Sequence, residues 1–194
     1  MIEEYAPQRT RGPDTRSHRR HYRRLALPHH SGSHARLACR DRQGFMARNV
    51  ASAEATVDAP ADTVYGYLAD MRDHHPRFLP PAFSDFQVES GGVGAGTVTR
   101  FKMTAGGRTR AYRMKVAEPE PGRVLTESDM DSSAVTTFTV SPQGSASLVR
   151  ISTAWDGASG IGGFFERMFA PRVLRAIYAD ELKRLDDYAR EHHS

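Results

Sequence analysis

Two adjacent histidines, His74 and His75, lie in RDHHPRFLPP (72–81) and are the only histidines between residues 46 and 190. An imidazole titrates near pH 6.5, so one of them at a cavity mouth would serve as a general acid or base. The plainer reading is a pair of loop side chains in water. Neighbouring histidines do not make a metal site by themselves. No HExxH or CxxC spacing accompanies them, and the single cysteine, Cys39, is not a zinc ligand set. No nucleophile is marked either, because GxSxG and a Cys–His pairing are both missing. GGVGAG (91–96) has the glycine density of a phosphate loop, but it lies between strand-like runs and lacks a following Lys-Ser/Thr. It reads as a turn, and neither a cofactor nor a metal is expected. Arg110 shares a strand face with Tyr112, where it would hold a carboxylate or phenolate. At a hairpin end it would instead be exposed.

The elements that position these residues follow from periodicity. Ala51, Ala53, Ala55 and Val57 alternate with polar residues, as in a half-buried strand. Asp58 or Ala59 then opens a helix over 59–71, with Pro60 at its first position and Val64, Tyr65, Leu68 and Met71 on one face. Pro76, Pro80 and Pro81 restrict 72–81 to a short helical turn and a loop. Strand-like runs follow at 83–90, 97–104, 108–116, 124–130, 134–140 and 147–155, separated by Gly and Pro turns. Within them Thr97, Thr99, Phe101 and Met103 share a face, as do Tyr112, Met114 and Val116, and Val149, Ile151, Thr153 and Trp155. Phe164, Phe165, Met168 and Phe169 form an apolar lead-in to the last element, and Pro171 is expected to break or kink it. Leu174, Ile177, Tyr178, Leu182, Leu185 and Tyr188 then hold helical spacing. The order predicts an α+β domain, an antiparallel sheet with one long terminal helix laid across it.

The chain has 194 residues, a net charge of +4 and an apolar fraction of 39%. Its mean hydropathy of −0.57 fits a soluble protein. No apolar run approaches the roughly 18 residues of a membrane span. One cysteine excludes an intramolecular disulfide and leaves a reducing, cytoplasmic setting as the default. The charge is uneven: residues 1–45 carry ten arginines against four carboxylates, a balance of +6, which leaves −2 for the remainder. A near-neutral domain argues against a nucleic-acid footprint on the folded part. With Ile2, Leu25, Leu27 and Leu37 as its only large aliphatic residues, the segment 1–45 is expected to be a disordered extension. Three readings stand for its run RSHRRHYRR (16–24): a contact with RNA or an anionic membrane, a solvated tail, or a stretch upstream of a true start at Met46. The domain proper is 46–194.

VDAPADTVYGYLADMRDHHPRFLP (57–80), GGVGAGTVTRFKM (91–103), EPEPGRVL (118–125) and the terminal helix together resemble the START-like, or SRPBCC, superfamily. Bacterial members of that superfamily are often labelled polyketide cyclase/dehydrase. The resemblance covers about residues 48–190, and His74-His75-Pro76 departs from the tryptophan that many relatives carry after the first helix. It implies a helix-grip fold: a curved antiparallel sheet of six to seven strands around a long C-terminal helix, two short helices after the first strand, and a ligand cavity between sheet and helix. A fold does not set a function, since the superfamily spans lipid carriers, cyclases, quinone-binding proteins and ring-hydroxylase subunits.

Phe78, Phe101, Met103, Tyr112, Met114, Phe138, Trp155, Phe165, Met168 and Phe169 suit the apolar wall of such a cavity. They equally suit a filled core. Thr126, Ser128 and Thr137, with Tyr112, would orient a guest, and Arg110, His74 and His75 are further polar candidates. The first reading is a noncatalytic carrier or sensor of a small hydrophobic molecule such as a lipid, a quinone or a polyketide-like aromatic. The alternative is a cyclase or dehydratase using the same cavity, and the third is an RNA or ribosome partner acting through the basic extension.

Overall fold

Alternation of small and polar residues gives β1 (Arg48–Val57), with Ala51 and Val57 fully buried. The computed structural model describes residues 48–157 and 160–192, with the backbone alone over 160–169. The extension expected at 1–45 and three expected wall residues, Phe165, Met168 and Phe169, therefore lie outside the described residues and side chains. After β1 the chain turns into α1 (Ala61–Ala69), with Pro60 at the N-cap. Pro60 stands one place before the first helical residue, where its fixed φ pre-orients the turn. α1 ends at Asp70. The Asp70 carboxylate accepts from the backbone N–H groups of Arg72 and Asp73, both at 2.9 Å, and its carbonyl accepts from His75 N–H at 2.8 Å. That Asx turn launches α2 (His75–Phe78), a single turn carrying Pro76 near its start.

Six further strands follow: β2 (Phe83–Ser90), β3 (Val98–Ala105), β4 (Arg108–Glu120), β5 (Val124–Asp129), β6 (Val135–Gln143) and β7 (Ala146–Asp156). They form one antiparallel sheet in the order β1-β7-β6-β5-β4-β3-β2. β1 and β2 are thus opposite edges, and α1 and α2 carry the chain from one edge to the other across one end of the curved sheet. The last element, α3 (Gly160–His192), packs on β1 and α2. Pro171 lies inside this helix and does not divide it. A proline removes one backbone donor, while the apolar stripe of Leu174, Tyr178, Leu182, Leu185 and Ala189, all buried, holds the helix to the sheet beyond it. The result is a seven-stranded helix-grip architecture. Among the described residues no helix is long and apolar enough to cross a membrane.

The solid part of the core lies where α1 and the C-terminal half of α3 meet β1, β6 and β7. Val57, Val64, Leu68, Met71, Leu125, Val140, Val149, Leu182 and Leu185 are all at most 1% exposed there. Each such side chain is worth about 1.5–3 kcal/mol of burial. The other half of the space between sheet and helix is not filled in this way.

Candidate functional site

A cavity of about 1100 Å³ occupies that second half. Its apolar wall comes from the inward parity of the strands, Phe101 and Met103 on β3, Tyr112 and Met114 on β4, Phe138 on β6, and Ile151 and Trp155 on β7, together with Phe83 and Phe86 on β2, which a register shift between Ser84 and Gln87 brings to one side. Phe101 is packed between Phe86 and Tyr112, with ring centroids 6.1 and 5.5 Å away. The roof is α3, through Ala170, Val173, Leu174, Tyr178 and Glu181. The exposed members of the lining (Gly106, Arg108, Arg110, Ser132, Ser133 and Asp156) gather at the β3–β4 hairpin, the β5–β6 turn and the end of β7, which marks the mouth. At the mouth Arg110 donates to Asp129 Oδ2 at 2.7 Å, and its guanidinium carbon lies 4.6 Å from the centre of the Tyr112 ring. Ser132 Oγ donates to the same carboxylate oxygen at 2.5 Å. Burial pushes the Tyr112 phenol up from its ordinary pKa, against the pull of the Arg110 charge.

The inner end has a different chemistry. Strand register sets Glu127, Thr136 and Thr153 side by side across β5, β6 and β7. Thr136 and Thr153 share a hydrogen bond at 2.7 Å, and Thr153 shares another with Tyr178 Oη at 2.5 Å. Burial raises the Tyr178 phenol far above its usual range. One turn further along α3 stands Glu181, 3% exposed, and opposite it Glu127, 7% exposed. Desolvation alone pushes the Glu127 carboxyl up to about 7. Desolvation, followed by the nearby Glu127 and Asp180 charges, pushes Glu181 up to about 8. α2 contributes His75. Its Nδ1 bonds the Leu68 carbonyl oxygen at 2.9 Å, so Nδ1 carries the proton and Nε2 presents a lone pair 4.0 Å from Glu181 Oε1. That distance falls within ion-pair range, yet burial lowers the His75 imidazole to about 4. Burial thus holds both groups neutral, and the contact is not an ion pair.

Of the residues expected from the sequence, Phe101, Met103, Tyr112, Met114, Phe138, Trp155, Arg110 and His75 line the cavity. Arg110 is half exposed at the mouth, with its fork occupied by Asp129. His75 is 2% exposed and is not a loop side chain in water, because the turn at Asp70 swings its ring under the end of α1. Five other expected residues lie off the cavity. Phe78, 1% exposed, packs behind the cavity against His75 and Tyr188, since on a one-turn helix His75 takes the wall position. His74 bonds Tyr188 Oη through Nδ1 at 2.8 Å and lies tilted against the Tyr67 ring, off the cavity. Thr126 and Ser128 face the other side of β5, Thr126 donating to Ala117 O at 3.4 Å and Ser128 exposed. Thr137 likewise faces away from the cavity, and Thr136 takes the inward place. The physical reason is parity: a slip of one residue reverses every side chain on a strand. Leu125 on β5, and Phe138 with Val140 on β6, are buried and set that parity. Read from Leu125, it turns Glu127 and Asp129 inward. Glu127 and Glu181 are the functional candidates that the sequence reading missed. For Glu181 the signal was its place between Tyr178 and Leu185, at helical spacings of three and four.

The geometry has known counterparts. A family model described as polyketide cyclase / dehydrase and lipid transport matches residues 49–190. The solution structure of a KanY protein is 34% identical, with a TM-score of 0.67 over 75% of this chain and 99% of that one. Zhui aromatase/cyclase from Streptomyces sp. R1128 shares the fold at 16% identity, with a TM-score of 0.64 over 76% of this chain and 97% of its own. A START superfamily protein from Mycobacterium smegmatis does so at 14% identity, with a TM-score of 0.58 over 73% and 97%. No curated protein sequence matches the chain. The seven-stranded helix-grip sheet and the matched family span agree, and the chain belongs to the polyketide cyclase/dehydrase and lipid-transport family of the START-like superfamily.

Proposed function

We propose that this protein binds a small, mostly apolar molecule, of the size and kind of a lipid, quinone or polyketide-like aromatic, as a carrier or sensor. The observation that carries the reading is the cavity of about 1100 Å³, walled by five aromatic rings of β2, β3, β4 and β6 and by two methionines, and reached through a mouth of exposed residues. Such a volume suits a drug-sized guest, and the thioethers of Met103 and Met114 adapt to irregular shapes. Native mass spectrometry of the protein from its producing cells tests the proposal: a co-purified guest, or a mass shift on exposure to lipid and quinone mixtures, is expected. Enlarging Ala105 and Ala134 at the rim to Trp should slow that uptake while leaving the fold intact. A protein that stays ligand-free in every mixture contradicts the reading.

One observation favours a second reading, a cyclase or dehydratase. Glu127 and Glu181 are neighbouring acids on the wall of the cavity, with pKa values pushed up by burial to about 7 and about 8, near the pH at which proton exchange is most effective. One carboxyl would give a proton to a leaving hydroxyl, and the other, ionised, would take one from the adjacent carbon. This reading expects turnover of a polyketide-type chain that E127Q abolishes without weakening guest binding. Binding without turnover leaves the carrier reading in place.

A further inference from the structure

The inner end of the cavity holds two buried carboxyl groups with no cation beside them among the described residues. Glu127 is buried on β5, and among the described residues its carboxyl forms no hydrogen bond or ion pair. Glu181, on α3, faces the same space, and its nearest partner is His75 Nε2 at 4.0 Å, beyond hydrogen-bond reach. His75 Nδ1–H is committed to the Leu68 carbonyl, so the atom turned toward Glu181 is a bare lone pair. The cations of the lining stand elsewhere: Arg110 is held at the mouth by Asp129, and Arg108 is exposed on the rim. Among the described residues no group of three or more His, Cys, Asp or Glu is arranged to hold a metal ion. Buried carboxyls ionise only at a desolvation cost unless a cation is brought to them.

We infer that this inner end is a subsite for a protonated amine, so that the guest is an amphipathic amine: an apolar body along the aromatic wall and one basic nitrogen between Glu127 and Glu181. The inference rests on the binding function proposed above and specifies its ligand class. An ammonium brings up to three N–H donors and a charge opposite to both carboxylates. A ketone or a hydroxyl brings no charge to offset an ionised carboxylate, and a carboxylate guest would place like charge beside like.

The charged and titratable groups around the subsite are Glu127 from β5; Glu181, Tyr178 and, behind it, Asp180 from α3; and His75 from α2. Tyr112 and the Arg110–Asp129 pair stand toward the mouth, with Arg108 and Asp156 on the rim. In the empty cavity burial keeps the two glutamic acids protonated to about pH 7 and 8. An entering ammonium expels those protons to solvent, so amine binding strengthens as pH rises through that range and binding of a neutral guest does not.

The test is calorimetric titration of the full chain with decylamine, decanol and decanoate, each below its micelle concentration, at pH 5.5 and 8.5. At pH 8.5 the amine should bind at least about tenfold more tightly than the alcohol, and decanoate most weakly. At pH 5.5 the gap between amine and alcohol should narrow. The E127Q/E181Q double variant keeps the shape of both side chains, and a melting curve verifies its fold. It should lose the amine preference, binding decylamine and decanol with similar affinity at pH 8.5. Equal affinity for amine and alcohol at pH 8.5, or a preference that survives in the double variant, overturns the inference and leaves the apolar-guest reading standing. Binding of none of the three overturns both.

Discussion

A carboxyl kept protonated inside a fold makes that fold less stable as the solution becomes alkaline. Glu127 and Glu181 ionise near pH 4.5 in the unfolded chain but only at about 7 and 8 when folded. Between those values the folded state holds more protons, so stability falls with rising pH by about 1.4 kcal/mol per pH unit for each carboxyl. The stabilisation is complete below pH 4.5 and gone above pH 8. His75 acts in the opposite direction: its folded pKa is lowered to about 4, so the unfolded chain takes up the proton first and stability falls as pH drops below 6.5. Urea unfolding at pH 5, 6.5 and 8.5 should therefore show a decline toward alkaline pH in the native chain that E127Q and E181Q each flatten. Parallel profiles for native and variant proteins would remove the buried acids from the account. Both residues escaped the sequence reading because a lone glutamate is far more often solvated than buried.

At the scale of elements, the turn between β2 and β3 acts as a strap. Gly92 O accepts from Met71 N–H and Gly94 N–H donates to Ala69 O, both at 2.9 Å, tying the end of α1 to the sheet. Glu118 on β4 completes the tie, accepting from Ala95 N–H at 2.7 Å and from Tyr65 Oη at 2.7 Å. Gly94 has φ +63°, and a Cβ there would lie 2.5 Å from Glu118 Oε2. Gly94→Ala should lower unfolding stability by about 1–3 kcal/mol from backbone strain alone. An unchanged urea midpoint would show that the strap carries no load. The glycines were readable from the sequence as a turn, but their partner Glu118, 24 residues beyond Gly94, was not, because tertiary partners leave no local periodicity. Strand faces were readable wherever apolar residues marked them, as Phe101 and Met103 do on β3 and Val149 and Ile151 on β7. They were misread on β5, where Leu125 is the single apolar inward residue and the carboxylates follow it. The length of α3 was obscured by Pro171, whose local penalty is outweighed by the packing of the stripe beyond it.

For the whole molecule, the hollow is the consequence of an arrangement in which α2 closes one end, α3 roofs the middle and two strand turns leave the other end open. An apolar guest adds dispersion contacts to the side chains of the wall. Binding to the folded state alone adds about 2.7 kcal/mol of stability at a guest concentration one hundred times Kd. The methionines allow the location to be read directly: Met103 and Met114 line the cavity, Met71 lies in the solid core and Met130 is half exposed outside. The decisive measurement is a methyl spectrum of protein labelled with ¹³C at the methionine methyls, titrated with decanol. Saturable shifts of the Met103 and Met114 methyls, with Met71 and Met130 unmoved, are predicted. Shifts confined to Met130, or none at all, would contradict a guest held between sheet and helix.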